Sequence, residues 1–295
     1  MPYRLFHIIR SALFILFLAV PTQCTEIIEL DLKTDTERLV VDAVISNQDR
    51  YFVVKLSRSV PYFSTEAAPP VNHAQVKMIN ERTNQIIVLQ EDSLLTGHYY
   101  AEASPELLVP GETLKLLINQ PDLKREGNLE SYWATATVPE MVPLDSAQIR
   151  YNATRETWQM LAFFQDPPEV ENFYQIKVVQ NNYTVTRRPD EIRISSDQLF
   201  NGNYVNGVWV HSIDASNNKS QFEDGDKVAL QLISISESFY HFIFAIHQEI
   251  NTSAPLFTGP AANVPGNISG QALGIFAVTA ISEYEIIFDS EIHNQ

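Results

Sequence analysis

Histidine and cysteine side chains could most directly do chemistry in this chain, which has seven histidines and one cysteine. The cysteine, Cys24, lies at the end of a predicted leader, and this position excludes a cysteine nucleophile. His241 and His247 stand six residues apart in a predicted helix, so they lie on different faces and cannot share a zinc ion as an i, i+4 pair does. We therefore predict no metal site, and a site assembled from distant strands is the alternative.

Carboxylates are more numerous, and none of them belongs to a recognisable catalytic motif. The chain has 36 acidic residues but no G-x-S-x-G, Walker, G-x-G-x-x-G or H-E-x-x-H sequence. Residues 223–226, Glu-Asp-Gly-Asp, resemble a fragment of a calcium loop but lack its remaining ligands, so a tight turn is the favoured interpretation. The sequence does not choose a facing pair of carboxylates such as a glycosidase needs. We predict no catalytic residue and no cofactor.

Aromatic residues offer a second kind of chemistry, because their faces can stack on a sugar ring. In a β protein such residues more often fill the core or pair across strands, and this is the favoured interpretation. The candidates are Tyr99, Tyr100, Trp133, Trp158, Tyr174, Tyr204 and Trp209.

The elements that position these residues are predicted to be strands. Apolar and polar residues alternate from residue 26 onward with the period of half-buried strands. Seven strands are predicted before residue 139, at 38–46, 51–57, 74–79, 85–89, 98–101, 113–118 and 132–138. Seven short strands in about 115 residues are typical of a β-sandwich, so the spacing predicts a first domain at 24–138.

Two prolines, Pro139 and Pro143, mark residues 139–143 as a linker, which leaves a second β-rich domain at 144–295. Its predicted strands lie at 147–151, 157–164, 173–179, 191–194, 208–213 and 228–235. The fold class is therefore mostly β, with two sandwich-like domains.

One helix and one loop interrupt the β pattern near the C-terminus. Apolar residues recur every three or four positions in 236–251, which predicts a helix packed on the sheet, with Ser236 as its N-cap. A loop rich in Pro, Gly and Asn follows at 254–270, and its composition favours a fixed path. Two apolar strands are predicted to close the chain.

The balance of charge argues against a nucleic-acid partner. The chain has 20 basic and 36 acidic residues, a formal net charge of −16 at pH 7. Affinity for a phosphate backbone comes largely from Lys and Arg. The apolar fraction of 45% is that of a globular protein.

The N-terminus has the layout of an export signal, with residues 1–23 as the leader. Arg4 and Arg10 precede the apolar run 12–20, which is too short to span a membrane. Cys24 follows almost at once, and a lone cysteine there forms no internal disulfide. We predict that Cys24 is the lipidated first residue of an exported lipoprotein, and a plain secretory signal is the alternative.

Several segments together resemble the family named domain of unknown function 4249, found in the cell envelope of Bacteroidota. The resemblance covers Cys24 to about Phe288, and its most specific part is the sequence Asn-Val-Pro-Gly-Asn-Ile-Ser-Gly at 263–270. The other matching segments lie at 25–32, 39–45, 54–63, 70–76, 226–236 and 273–276.

The resemblance implies an outer-membrane lipoprotein, often associated with TonB-dependent transporters. It also implies that the first domain is Ig-like, similar to a carboxypeptidase-regulatory-like domain, with 70–77 as one of its strands and 97–100 and 109–116 as its turns. No catalytic residue comes with the family.

We therefore expect a lipid-anchored, non-enzymatic accessory of a TonB-dependent transporter. A surface module that binds a glycan or peptide is the alternative, and a hydrolase with dispersed carboxylates is a third. The candidate recognition loop comprises Asn263, Pro265, Asn267 and Gly270.

Overall fold

Fifteen strands and two α-helices make up the described part of the protein, a computed structural model that describes residues 37–61, 64–119, 131–168, 170–186, 188–214, 222–251 and 264–293. The first seven strands are β1 (Leu39–Ser46), β2 (Tyr51–Arg58), β3 (Gln75–Asn80), β4 (Ile86–Glu91), β5 (His98–Glu102), β6 (Thr113–Asn119) and β7 (Ser131–Thr137). The other eight are β8 (Ser146–Asn152), β9 (Thr157–Gln165), β10 (Phe173–Gln180), β11 (Tyr183–Thr184), β12 (Arg193–Ser196), β13 (Tyr204–Asp214), β14 (Lys227–Ile235) and β15 (Leu273–Ile287). The helices are α1 (Glu237–Asn251) and α2 (Ser290–His293). Among the described residues, neither helix has the length and apolarity needed to cross a membrane. The protein is mostly β, as predicted.

The first sandwich is built from β1 to β7, close to the seven strands predicted from alternation. Strands β1, β2 and β5 form one layer and β3, β4, β6 and β7 the other, with a short pairing of β4 and β5 joining them. Alternate residues of each strand point inward. Phe52 and Val54 of β2 are buried, and Met78 and Leu116 from the opposite layer complete the same core.

The second sandwich places the three-stranded sheet β8–β9–β13 against β10, β14 and the second half of β15. Trp158 and Met160 of β9 pack with Tyr174 of β10 and Leu230 of β14. The Trp158 ring lies 4.8 Å from that of Phe288, centre to centre. These contacts form a core separate from that of the first sandwich.

Strand β15 belongs to both sandwiches. Residues 273–279 pair in parallel with β1, and residues 280–287 pair antiparallel with β14. The prediction of two closing strands is wrong, because residues 273–287 form one continuous strand without a proline or a turn. Its two halves pair with different strands. Beyond the end of β1, the Asn47 side chain continues the ladder: it accepts the N–H of Ile281 at 2.7 Å and donates to its carbonyl at 3.2 Å.

Residues 139–143, predicted as a linker, lie against the sheet. The N–H of Val142 donates to Ser234 Oγ at 3.2 Å, and the N–H of Leu144 donates to Ser282 Oγ at 2.8 Å. Both apolar side chains are buried in the second core. Because Glu37–Gln295 forms one compact unit, the division into domains at 24–138 and 144–295 stays a prediction.

Helix α1 lies where the apolar spacing predicts it. It packs on the side of β10, β14 and β15 that faces away from the second core. Ser236 Oγ accepts the N–H of Phe239 at 3.3 Å, which caps the helix. Phe239 and Ile243 are buried against Phe173 of β10 and neighbouring residues of β14. Ile250 is exposed, so the packing face ends before the last turn.

Two strands of the second sandwich differ from their predicted positions. Strand β12 begins two residues late because Pro189–Glu191 forms a 3₁₀ turn. Strand β13 begins four residues early, at Tyr204, because it pairs with β9 along its whole length in spite of two bulges. A partner strand can hold polar residues in a ladder that their own propensity does not favour.

Candidate interaction surface

The two helix histidines have separate partners, as their spacing predicts. His241 Nε2 lies 3.5 Å from Glu237 Oε1, one turn earlier on α1. His247 Nε2 lies 3.0 Å from the carbonyl oxygen of Pro189. Across the described residues, no three His, Cys, Asp or Glu side chains come together as a metal site.

Two fully buried carboxylates hold turns of the second sandwich. Asp166 accepts hydrogen bonds from Tyr174 Oη at 2.5 Å and from the N–H of Gly202 at 2.9 Å. Asp197 accepts the N–H of Asn172 at 2.9 Å. Burial, and then the bond to Asp166, raises the pKa of Tyr174, so the phenol keeps its proton and remains a donor. Both acids therefore accept hydrogen bonds from groups of the protein itself.

The acidic segment 223–226 is a tight turn, as predicted. The Asp226 carboxylate accepts hydrogen bonds from the N–H of Glu223 at 2.8 Å, Gln180 Nε2 at 2.6 Å and Asn181 Nδ2 at 2.7 Å. Burial opposes ionisation, but these three hydrogen bonds outweigh it and lower the pKa of the Asp226 carboxyl. The negative charge of Asp226 is therefore bound by N–H groups of the protein itself.

His211, which the sequence analysis did not single out, is buried in β13. Burial, followed by the charge of Arg193, lowers the pKa of its imidazole to about 4, so the ring is neutral at pH 7. Its Nδ1 has no hydrogen-bond partner among the described residues, and the ring lines a small cavity of about 150 Å³. No spacing in the sequence indicates this, because His211 occupies an ordinary strand position.

Residues 264–270, the described part of the most specific family motif, close one edge of the first sandwich. The Asn267 side chain accepts the N–H of Phe276 at 2.9 Å and donates to the carbonyl oxygens of Phe276 at 2.7 Å and Thr135 at 3.2 Å. Ser269 exchanges two bonds of 2.8 Å with the backbone of Trp133. The segment thus covers the free edge of β7, which would otherwise present unpaired backbone groups.

The structure describes three of the five predicted site residues, and these three differ in exposure. Cys24 and Asn263 lie outside the described residues. Pro265 and Gly270 are exposed, whereas the Asn267 amide is engaged by backbone groups on β7 and β15. A recognition role for this loop stays a prediction.

The aromatic candidates divide between cores and surface. Tyr99, Trp158 and Tyr174 are buried, in agreement with core packing. Tyr100, Trp133, Tyr204 and Trp209 are exposed. Trp133 lies on the first sandwich and Trp209 on the second, so the exposed rings do not form one platform.

The side of β4, β3, β6 and β7 that faces away from the core carries large apolar residues where a solvated sheet usually carries polar ones. The strand register arranges eight residues in two rows across the four strands. The first row is Trp133, Leu117, Lys77 and Val88, and the second is Thr135, Lys115, Ile79 and Ile86. We call these eight residues the outer face. Val88 is 57% exposed, Ile86 56% and Trp133 48%.

The charge of the outer face is opposite to that of the chain. Its two charged residues are Lys77 and Lys115, and none of the eight is a carboxylate, although the chain has a formal charge of −16. Lys115 Nζ lies 5.2 Å from the centre of the Trp133 ring, within range of a cation–π interaction. Contiguous exposed apolar residues of this kind mark interaction sites.

One sequence signal could have located part of this surface. Residues 86–89, Ile-Ile-Val-Leu, do not alternate, so β4 is apolar on both faces. Such a run fits a strand covered on both sides, yet Ile86 and Val88 are more than half exposed within the described part of the chain. The other strands contribute single outward residues, which only the strand order brings together.

A mostly β fold with two sandwich cores defines a β-sandwich protein, and one sheet face of its first sandwich exposes apolar residues among those described. The model of the family "Domain of unknown function (DUF4249)" matches residues 25–285. The chain belongs to this family, as its motifs predict. A search of curated proteins found no match.

A search of solved structures matches a DUF4785 family protein from Legionella pneumophila, with 14% identity, a TM-score of 0.28 and coverage of 66% of this chain and 52% of that one. The FN1–FN3 domains of chicken CNTN1 give 8% identity, a TM-score of 0.28 and coverage of 66% and 59%. The chicken interferon gamma receptor alpha chain gives 10% identity, a TM-score of 0.22 and coverage of 67% of this chain and 88% of that one. The match thus spans little more than half of the first two structures.

Proposed function

We propose that this chain is a non-enzymatic accessory protein of the bacterial envelope, anchored by lipid at Cys24, that docks on a TonB-dependent outer-membrane transporter through the outer face. One observation carries the docking proposal: two rows of side chains, five apolar, two lysine and one threonine, cross four strands, and Ile86, Val88 and Trp133 among them are exposed within the described part of the chain. The anchor and the class of partner come from the family resemblance and the leader.

The contacts of the buried acids support a non-enzymatic role. Asp166 and Asp197 bind backbone N–H groups, and Glu112 binds Asn80 and Arg82. A catalytic carboxylate must instead face a substrate within hydrogen-bond reach. These side chains already have partners that fix the fold.

The shape of the outer face favours a protein partner over a small molecule. Small ligands bind in concave pockets, whereas this surface is one layer of a sheet, about 15 Å wide at the usual spacing between four strands. Interface cores are enriched in aromatic residues and depleted of charge, with polar residues at the rim. We expect the partner to present an apolar centre with carboxylates opposite Lys77 and Lys115.

A glycan- or peptide-binding surface around Trp209 and Tyr204 on β13 is the weaker proposal. The indole N–H of Trp209 donates to the carbonyl of His211 at 2.9 Å, and the Arg155 guanidinium lies 5.3 Å from the ring centre. Because Arg155 occupies one face of the ring, stacking on that face would have to displace it.

The docking proposal is tested with a pair of matched substitutions, Val88→Glu on the outer face and Val208→Glu on β13. The two valines are 57% and 52% exposed, so the new charge remains solvated in both variants and the fold is kept. Affinity purification from native membranes should recover a TonB-dependent transporter with the wild type and Val208→Glu, and at least tenfold less with Val88→Glu. This loss is expected because the new charge would be desolvated at an interface.

Equal recovery with both variants would remove the outer face as the docking site. Failure of the wild type to recover any transporter would remove the partner. Thermal unfolding of the three proteins provides the control for folding.

A further inference from the structure

Two polar side chains on β10, Gln175 and Lys177, share the face that points away from the second core. Gln175 is only 5% exposed and Lys177 is partly buried. Within the described ranges, neither side chain makes a hydrogen bond or an ion pair. This separates them from Asp166 and Asp226, whose carboxylate oxygens are all hydrogen-bonded.

Unpaired polar groups at such positions are costly. Native proteins contain few largely buried amides that lack hydrogen-bond partners. Burial lowers the pKa of the Lys177 ammonium, and the charge of Asp49 only partly opposes this effect. A ligand that supplied an anion and a hydrogen-bonding group would give both side chains the partners that they lack within the described ranges.

Both side chains line one cleft of about 400 Å³, a size typical of small-molecule sites. The cleft lies between β10 and the segment that connects β11 to β12. Its wall is completed by the hydroxyl residues Thr184 and Thr186 and by the apolar residues Pro189 and Ile192.

Among the described residues that line the cleft, Lys177 carries the one positive charge without an ion-pair partner. Arg188 also lines it, but its guanidinium is 2.5 Å from Asp190 Oδ2 and 3.2 Å from Glu191 Oε1. Its charge is therefore balanced by two carboxylates of the same turn. No carboxylate lies among the described residues that line the cleft.

We propose that this cleft binds a small hydroxylated carboxylate, with the carboxylate on Lys177 Nζ and a hydroxyl group on the Gln175 amide. A single ammonium matches a monoanion, whereas phosphate groups favour the forked donors of free arginines. The threonine hydroxyls suit further hydroxyl groups, and Pro189 and Ile192 suit the carbon skeleton. The cleft lies on the second sandwich and the outer face on the first, so this proposal does not depend on transporter docking.

The full mature chain is titrated by calorimetry with three probes of similar size: D-glucuronate, D-glucose and D-glucose 6-phosphate. We expect glucuronate to bind and to raise the melting temperature as its concentration increases, because a ligand of the native state stabilises it by mass action. Glucose, which lacks the anion, and glucose 6-phosphate should each bind at least tenfold more weakly.

Two variants locate the site. Lys177→Met should weaken glucuronate binding at least tenfold without lowering the melting temperature of the free protein, since it removes an unpaired charge and keeps the length of the side chain. Lys227→Met is the matched control on the adjacent strand, where the lysine is exposed and lies 3.4 Å from Glu285. It should bind glucuronate like the wild type.

Four results would overturn the proposal. Binding of none of the probes would mean that the cleft is not such a site. Equal affinity for glucose and glucuronate would show that the carboxylate is not recognised, and tighter binding of glucose 6-phosphate would assign the site to phosphate. Equal weakening by both lysine substitutions would show that general charge, not Lys177, attracts the anion.

Discussion

Gly274 allows the backbones of three segments to meet at the start of β15 in the first sandwich. Its φ is +97°, and a Cβ at this position would overlap the carbonyl oxygen of Val41 on β1. A Cβ on Gly266 would in turn overlap the carbonyl oxygen of Gly274. The family segment 264–270 can therefore reach β15 only because neither residue has a side chain.

The substitutions Gly274→Ala and Gly225→Ala separate backbone strain from steric overlap. Gly225 has nearly the same φ, +93°, but nothing lies within 4 Å of a Cβ built there. We expect Gly225→Ala to cost about 1 kcal/mol of unfolding free energy from the left-handed backbone alone. Gly274→Ala should cost about 3 kcal/mol or more because β1 must also move. Urea unfolding measures both, and similar losses would contradict the close approach.

Asp226 gives the stability of the protein a defined dependence on pH. Because hydrogen bonds lower the pKa of this carboxyl in the folded state, its stabilisation is present above the unfolded value of about 3.9 and is lost as the pH falls through the lower folded value. We expect the free energy of unfolding of Asp226→Asn to fall well below that of the wild type at about pH 6, with the gap narrowing below about pH 4. A gap that stays constant with pH would show that the carboxylate charge is not the cause.

At the scale of the elements, local patterns predict most of the strands and the helix. Alternation identifies β1 to β10 within two residues at each end, and the three- and four-residue spacing identifies α1. The pattern does not reveal that β15 is one strand, since this depends on two partners, β1 and β14, that are distant in sequence.

The candidate sites could not be predicted for the same reason. Trp133, Leu117, Lys77 and Val88 become neighbours only through the strand order β4–β3–β6–β7. Gln175 and Lys177 are ordinary polar positions of an alternating strand. They line a cleft only because the segment between β11 and β12 lies beside them. Neither arrangement has a signature in local spacing.

Asn267→Ala tests whether segment 264–270 closes the sandwich edge. The substitution removes three hydrogen bonds to the backbone of β7 and β15, and we expect a loss of about 2 kcal/mol. Amide exchange at Phe276 and Trp133 should become faster. Asn206→Ala, at an exposed position of β13, is the control and should change neither quantity. Unchanged exchange in Asn267→Ala would show that the segment does not protect the edge.

At the scale of the whole molecule, attachment to the membrane depends on Cys24. We expect radiolabelled palmitate to enter the wild-type protein and not Cys24→Ala, which should fractionate with soluble proteins because it has lost the single cysteine of the chain. Equal labelling of both proteins, or no labelling of the wild type, would remove the lipid anchor.

The outer face is the proposed docking surface of an anchored accessory protein, and photo-crosslinking in intact cells tests this role most directly. A photoreactive phenylalanine analogue placed at Val88 should crosslink to a TonB-dependent transporter, because this residue is exposed in the first row of the outer face. The same analogue at Val208, equally exposed on the second sandwich, should not. Crosslinking from both positions, or from Val208 alone, would contradict the account.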